Sequence, residues 1–260
     1  MSTGHPEEWF DADIAAIDVE TTGLNAAEDR VIEIAIIHMR SGEVIDRYSH
    51  LVNPGIPIPE EVIKLTGIQN DDIAGKPAFA EIAADVRAHL EGKVVVAYNL
   101  SFDKGFVTAE LERAGTTWPD GPMLDPLVFA REFQRNDGSK RLEAVAKRLG
   151  IELTDAHRAA ADAEVGGRVL YAFRDQLPTL LTDIIQLQQQ WSVQQEQQMA
   201  AWRRRRAKPT EDTPAQNKPV VETPTTPDKD LTLGPAYIYG TETDPVRHFY
   251  QQLPDVGSRN

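Results

Sequence analysis

The sequence contains no cysteine among its 260 residues. This absence excludes a disulfide framework, a thiolate metal site and a cysteine nucleophile. Basic residues are also scarce, with 27 lysines and arginines against 41 acids, a formal net charge of −14 and a pI near 4.9. Such a balance argues against broad electrostatic binding to duplex nucleic acid. It leaves open an enzyme that grips only a strand end, because metal ions can supply local positive charge there.

Long apolar segments are missing as well. Residues 1–13 are acidic and lack the apolar core of a signal peptide, and no apolar run approaches the length of a membrane span. We therefore expect a cytoplasmic protein. The hydrophobic content of 41% is enough for one domain with a proper core and for an extension beyond it.

Two acids follow the first apolar run. Residues 14–17 (I-A-A-I) are predicted to form a buried strand that leads into a loop with the sequence D-V-E-T-T-G-L at 18–24. Side chains alternate along a strand, so Asp18 and Glu20 should face the same way. Adjacent carboxylates repel each other, which favours a cation between them, and oxygen ligands favour Mg²⁺ or Mn²⁺. Solvated acids are the simpler explanation of an isolated D-x-E motif, so a metal site here needs support from other residues of the chain.

Strand and helix patterns alternate after this motif, which indicates an α/β fold. Strands are predicted at 30–39, 44–52, 93–97 and 123–125, and helices at 60–65, 79–90, 126–133, 141–149 and 180–206, with one more helix after residue 98 and another through residue 171. The first two of these strands are predicted to form a hairpin, and strand 93–97 should be central because it is continuously apolar.

Three more candidate residues lie near predicted helix starts. Asp103 falls in the first turn of the helix after strand 93–97, with Asn99 or Ser101 as its cap. Open α/β sheets bind ligands at such strand ends, although an acid in a first turn is also ordinary. His157 and Asp162 are five positions apart, at about 100° each, so they would lie on different faces of a continuous helix. If both serve one site, His157 should lie in the loop or in a frayed first turn, and Asp162 inside the helix.

Two further interpretations concern the cap of the last of these helices and the remaining histidines of the chain. Asp155 is the predicted N-cap of the helix that contains Asp162. The remaining histidines have no comparable setting and are interpreted as incidental. They are His5, His38, His50, His89 and His248.

The ordered set D-x-E, N-x-x-F-D and H-x-x-x-x-D resembles the DEDDh family of 3′-to-5′ exonucleases. This family includes the proofreading epsilon subunit of bacterial DNA polymerase III, ribonuclease T and oligoribonuclease. The resemblance covers roughly residues 14–173 and includes L-T-G-I at 65–68 and D-P-L at 125–127. It implies a ribonuclease-H-like fold with a mixed central sheet flanked by helices. One departure is Tyr98, which stands where many epsilon-like chains have a histidine.

The resemblance also implies a site and a reaction. It implies that two Mg²⁺ or Mn²⁺ ions are bound by Asp18, Glu20, Asp103 and Asp162, and that His157 acts as the general base. The reaction would release 5′-nucleoside monophosphates from 3′ ends of single-stranded or frayed DNA. Residues predicted to bind the terminal nucleotide are Thr21, Thr22, Gly23, Leu24, Asn99 and Phe102.

Two other functions stay open at this point. The substrate could be RNA, as in ribonuclease T and oligoribonuclease, or the chain could chiefly be an interaction subunit tethered to a polymerase or repair factor. We divide the chain into an exonuclease domain at 1–176, a glutamine-rich helical extension at 177–206, a disordered proline-rich linker at 207–230 and a tail at 231–260. The tail is too short for its own core, so it should pack back or dock on a partner.

Overall fold

A five-stranded mixed sheet forms the centre of the computed structural model, which describes residues 8–153 and 157–206. The strands are β1 (Ile14–Thr21), β2 (Val31–Arg40), β3 (Glu43–Leu51), β4 (Val94–Val96) and β5 (Met123–Leu124). The helices are α1 (Glu60–Thr66), α2 (Asn70–Ile73), α3 (Phe79–Leu90), α4 (Leu100–Arg113), α5 (Pro126–Phe133), α6 (Leu142–Arg148), α7 (Ala159–Ala172) and α8 (Leu181–Arg206).

The strand order is β3-β2-β1-β4-β5, with β1 in the middle. The first three strands pair antiparallel, whereas β4 and β5 run parallel to β1. This arrangement confirms the predicted mixed sheet, its hairpin and the interior position of the strand at 93–97. Helices α3 and α5 have the predicted bounds, while the single-turn helix α2 was not predicted.

The first strand is longer than predicted. The expected loop after residue 17 is wrong, because β1 continues through Thr21 and pairs with β2 along its whole length. Asp18 lies opposite Ala35 and Glu20 opposite Glu33. Both acids are therefore held by a ladder of backbone hydrogen bonds in the central strand, which fixes their directions more firmly than a loop would.

Helices cover both faces of the sheet, and the alternation of β1 divides its side chains between two cores. Ile14 and Ala16 pack with α5, α7 and α8, whereas Ala15, Ile17 and Val19 pack with α3 and α4. We call these the α7 face and the α3 face. Because Asp18 and Glu20 continue the series of Ile14 and Ala16, they emerge on the α7 face.

Helix α7 approaches the sheet closely through a pair of glycines, and this contact can be tested. A Cβ on Gly167 would lie 2.5 Å from Met39 Sδ and 3.2 Å from Ala16 Cβ, both in the buried core. We expect Gly167→Ala to lower the free energy of unfolding by about 1–3 kcal/mol, because a packed core must shift. Gly166→Ala is the matched control, since its Cβ would meet Tyr98 at an ordinary 3.5 Å. Higher helix propensity should make that control neutral or stabilising by up to about 1 kcal/mol in urea unfolding. Equal losses in the two variants would contradict the close approach.

The glutamine-rich helix α8 lies against the sheet and α5. Ile184 is fully buried in the core of the α7 face. Gln188 accepts a hydrogen bond from the backbone N–H of Asp125 at 2.6 Å, and Gln195 Nε2 donates to the carbonyl of Val128 at 3.0 Å. These two glutamines therefore bind the backbone and side chains of neighbouring elements.

The remaining predictions for the C-terminal part of the chain are not decided by this packing. The domain boundary at residue 176 stays a prediction. The predicted linker at 207–230, the tail at 231–260 and the predicted cap Asp155 lie outside the described residues. Within the described residues, no helix is long and apolar enough to span a lipid bilayer.

Candidate active site

Three carboxyl groups meet on the α7 face of the sheet. Oxygens of Asp18, Glu20 and Asp162 all lie within 4.8 Å of one another. The first two residues share a face of β1, as the alternation predicts, and Asp162 lies in the first turn of α7, which crosses β1 and β2. The chain thus brings together acids separated by more than 140 positions in sequence.

Asp103 adjoins this cluster from the other side. It lies in the first turn of α4 and is 3% exposed, and its Oδ1 accepts a hydrogen bond from the backbone N–H of Val19 at 3.1 Å. The bond ties Asp103 to β1 between the two strand acids. Its charge is the neighbouring charge that most raises the pKa of Asp18. The structure therefore places all four predicted acids in one region, with Asp103 beside the three that share a centre.

The electrostatics of the site favour a divalent cation. Burial, and then repulsion between neighbouring carboxylates, raises the pKa of Asp18 and Glu20 well above the usual range. Burial also raises the pKa of Asp103, against the opposing effect of its backbone hydrogen bond. Such groups are costly to ionise together without a positive charge between them. Carboxylate oxygens are hard ligands that suit Mg²⁺ or Mn²⁺, so the donor set fits the predicted metal.

His157 lies in the turn before α7. Its φ is 69°, in the left-handed region, and its backbone N–H donates to Oδ2 of Asp162 at 3.1 Å. The histidine therefore precedes the helix, as it must if it is to share a site with Asp162. Nε2 lies 3.8 Å from Oε1 of Glu143 on α6, and the side chain is 24% exposed. Glu143 was not predicted, and the imidazole is reachable from solvent.

An ion pair between buried Glu33 and half-exposed Arg158 holds the turn of His157 and was also missed. Arg158 donates from Nη2 to Oε1 of Glu33 at 2.8 Å and from Nε to Oε2 at 3.2 Å. The same carboxylate accepts the backbone N–H of Ala159 at 3.2 Å, and Glu33 is 2% exposed. Glu33 lies opposite Glu20 in the sheet, so the pair joins the start of α7 to the strands that carry the acids. A lone acid within the apolar strand R-V-I-E-I-A-I-I was the available signal, because a buried charge needs a partner.

Breaking this pair should loosen the turn. We expect Arg158→Met to lower the free energy of unfolding by about 2 kcal/mol, less than for a fully buried pair because Arg158 is 50% exposed. The rate of the reaction that the resemblance implies should fall as well, because His157 is the preceding residue. Arg47→Met is the control, since Arg47 pairs with Glu164 at the surface and should contribute less than about 1 kcal/mol. Urea unfolding and initial rates measure both effects. Equal losses in the two variants would show that the Glu33–Arg158 pair contributes no more than a surface pair.

The start of α4 is capped differently from the prediction. Asn99 occupies the N-cap position with a φ of 76°, but neither its side chain nor that of Ser101 makes the cap hydrogen bond. Instead, the Asp125 carboxylate accepts the backbone N–H groups of Asn99 at 3.0 Å and Leu100 at 3.1 Å. It also accepts the N–H of Leu127 at 2.9 Å, so one carboxylate holds the starts of α4 and α5. Since α4 carries Asp103, Asp125 sets the position of that acid.

The predicted nucleotide loop is held by its own hydrogen bonds. Thr21 and Thr22 are buried, and the Thr21 hydroxyl donates to the carbonyl of Gly23 at 2.5 Å, while Thr22 Oγ1 accepts the N–H of Arg30 at 3.0 Å. Both hydroxyls are therefore engaged within the protein. Leu24 is partly exposed, which leaves its side chain available for a ligand.

Two more predicted substrate-binding residues lie at the start of α4. Phe102 is partly exposed and packs against Phe106 with 4.9 Å between ring centroids. Asn99 precedes the helix in its left-handed conformation. Their contacts with a nucleotide, like those of the loop, stay predictions.

The raised pKa of Asp162 gives the metal-free protein a distinctive pH dependence. Burial raises this pKa from 3.8 to about 6, so the folded state binds the proton more tightly than the unfolded state. The resulting stabilisation is present below pH 3.8 and is lost as the pH rises through about 6, a change of about 3 kcal/mol. In EDTA, the wild type should therefore lose stability relative to Asp162→Asn between about pH 4 and about pH 7 in urea unfolding. Saturating Mg²⁺ should reverse the order at the higher pH, because it binds the ionised carboxylate. Parallel pH profiles for the two proteins would contradict the raised pKa.

The chain is similar to proteins described as exonucleases and as DNA polymerases. A family model named RNase_T and described as an exonuclease matches residues 15–170. The PolC-type DNA polymerase III of Lacticaseibacillus paracasei is 36% identical over 167 residues, which are 64% of this chain and 12% of that protein. The corresponding protein of Bacillus cereus is 39% identical over 153 residues, which are 59% of this chain and 11% of that protein. The chain thus spans little more than a tenth of the length of these relatives.

Solved structures share the fold at lower sequence identity. E. coli exonuclease I in complex with single-stranded DNA has a TM-score of 0.59 and 24% identity, over 66% of this chain and 42% of that chain. Exonuclease X in complex with 5′ overhanging duplex DNA has a TM-score of 0.53 and 22% identity, over 67% of this chain and 99% of that chain. These similarities confirm the predicted ribonuclease-H-like fold.

Proposed function

The chain belongs to the RNase_T exonuclease family, and we propose from this premise that it is a metal-dependent 3′-to-5′ exonuclease of DNA. The substrate would be the 3′ end of single-stranded or frayed DNA, and the products would be 5′-nucleoside monophosphates. The observation that carries the proposal is the convergence of Asp18, Glu20 and Asp162, with Asp103 beside them. Hydrolysis of phosphodiester bonds requires a place where negative charge on phosphate is neutralised, and this cluster would hold the cations that do so.

Each residue of the site would have a separate task. The four acids would hold two divalent ions, which when bound polarise the attacking water and stabilise charge on the scissile phosphate. His157 would take the proton of that water, because an imidazole titrates near neutral pH and this one lies beside Asp162 with access to solvent. The Glu33–Arg158 pair and Asp125 would hold His157 and Asp103 in position, because they fix the starts of α7 and α4.

The choice of DNA over RNA rests on the known proteins that this chain resembles, and the net charge bears on how much of the nucleic acid is contacted. The relatives described above are DNA polymerases by name, and the solved structures that share the fold include complexes with single-stranded and 5′ overhanging DNA. The formal net charge of −14 favours a short contact at a strand end over a long contact with a duplex. Association with a polymerase or repair factor is a second proposal, and the relatives' names support association with a polymerase. The tail at 231–260 is the segment through which we propose that it occurs.

The direct test is digestion of matched DNA and RNA oligomers labelled at the 5′ end. With Mg²⁺, the DNA should shorten one nucleotide at a time from its 3′ end and release mononucleotides, and EDTA should stop the reaction. Because the label stays on the 5′ end, a ladder of labelled products shows the direction of degradation. A strong preference for RNA would overturn the choice of substrate, and immediate release of the label as a mononucleotide would overturn the direction.

A further inference from the structure

A second group of metal-ligating side chains lies on the α3 face of the sheet. It consists of His38 on β2, Asp46 on β3 and His89 in the last turn of α3, whose ligand atoms all lie within 4.8 Å of one another. His38 Nε2 and His89 Nδ1 are 2.8 Å apart, and the two rings stack at 5.0 Å. The interpretation of these histidines as incidental therefore does not describe their setting.

The fold itself creates this group. His38 and Asp46 lie directly opposite each other in the β2–β3 hairpin, so the sheet register holds them side by side. Helix α3 packs on the same face through Val86 and Leu90, and this contact brings His89 over the strand pair. The three donors come from three separate elements, and a bound ion would therefore join the hairpin to the helix.

The group is separate from the carboxylate cluster. The side chain of His38 points to the α3 face, with those of Ile34 and Ile36, whereas the cluster of Asp18 and Glu20 lies on the α7 face. Along β2, His38 is three residues beyond the partner of Asp18, a distance of about 10 Å. A ligand at one site would not touch the other.

The donor chemistry also differs between the two sites. Imidazole nitrogens suit Zn²⁺ and the neighbouring transition metals, whereas oxygen-only sites suit Mg²⁺. Two histidines and a carboxylate are a donor set that Zn²⁺ accepts, with the fourth position open to water. The two nitrogens need to separate only from 2.8 Å to about 3.3 Å to bind one tetrahedral ion. Asp46 is exposed and can rotate towards it.

We propose that His38, Asp46 and His89 form a second metal site, specific for a transition metal such as Zn²⁺, that links the β2–β3 hairpin to α3. The ion takes the place of the hydrogen bond between the two imidazoles and gains the Asp46 carboxylate as its third ligand. The site is independent of the nuclease chemistry and strengthens the edge of the sheet that α3 covers.

The test is titration of Zn²⁺ into the full chain by calorimetry, after removal of metals with a chelator. Zn²⁺ also binds carboxylates, so the informative quantity is the difference between variants. We expect His38→Gln and His89→Gln each to lose one equivalent of bound Zn²⁺, and Asp46→Asn to bind that equivalent more weakly. His50→Gln is the matched control, because its ring contacts the ring of Tyr48 nearby but lies outside the group. This control should keep the full number of equivalents.

Thermal unfolding gives a second readout. At a hundredfold excess over its dissociation constant, Zn²⁺ at this site should raise the melting temperature of the wild type by about 5–10 °C. The rise in melting temperature should be smaller in His38→Gln than in the wild type, and in His50→Gln it should equal that of the wild type. The nuclease rate in Mg²⁺ should stay within about twofold of wild type in both variants. The proposal would be overturned if the wild type, His38→Gln and His89→Gln bound equal numbers of Zn²⁺ equivalents and showed equal shifts in melting temperature.

Discussion

Replacing Asp18 with asparagine is expected to lower the rate of nucleotide release about a thousandfold in saturating Mg²⁺. Asp18 lies in the central strand within the carboxylate cluster, and burial and then the charges of Asp103, Asp162 and Glu20 raise its pKa. Asparagine has nearly the same shape but lacks the charge and one hard oxygen ligand. The loss should therefore appear in kcat/KM measured with a 5′-labelled single strand.

The matched control is Asp13→Asn, which removes a carboxylate that lies immediately before β1. Asp13 is partly exposed and pairs with Arg40 and Lys93 at the surface, so this variant should keep its rate within about twofold. In EDTA, Asp18→Asn should unfold at no lower urea concentration than the wild type, because it removes a buried charge that is repelled by its neighbours. An Asp18→Asn protein that is folded and keeps more than about a tenth of the wild-type rate would contradict the assignment.

Replacing His157 with glutamine should lower the rate by about 10²- to 10⁴-fold, the usual range for loss of a general base. Glutamine keeps the backbone N–H that binds Asp162, so the carboxylate cluster and its affinity for Mg²⁺ should change little. A general base must be unprotonated to act, so the pH dependence of the rate should differ between the wild type and the variant. Pre-steady-state rates over a pH series, with Mg²⁺ affinity measured in parallel, separate the two effects.

His50→Gln is the control for loss of an imidazole. His50 lies on β3 and contacts Tyr48, away from the acids, and its replacement should leave the pH profile unchanged. A His157→Gln protein that keeps the wild-type pH profile would show that another group takes the proton.

The short-range features of the site are predictable from sequence because they depend on local geometry. Asp18 and Glu20 share a face because any strand alternates, and His157 must precede the helix because five positions on a helix do not share a face. Asp103 follows from a helix that starts at the end of an apolar strand. In each case the spacing between neighbouring residues is sufficient, and the structure places these side chains accordingly.

The contacts that support the site join residues that are far apart in the chain. Local sequence patterns therefore do not predict them. Glu33 and Arg158 are separated by 125 positions, and their contact depends on where α7 crosses the sheet. The caps provided by Asp125 depend in the same way on how β5 aligns with β4. The group of His38 and His89 requires both the hairpin register and the position of α3. A lone acid in the apolar strand was the one local sign of this set.

The most direct test of the account is diffraction from crystals of the full chain soaked in Mn²⁺, with data collected at a wavelength where Mn²⁺ scatters anomalously. We expect an anomalous peak between the carboxylates of Asp18, Glu20 and Asp162, with Asp103 beside it. Carboxylates that remain apart, with Mn²⁺ bound elsewhere or not at all, would contradict it.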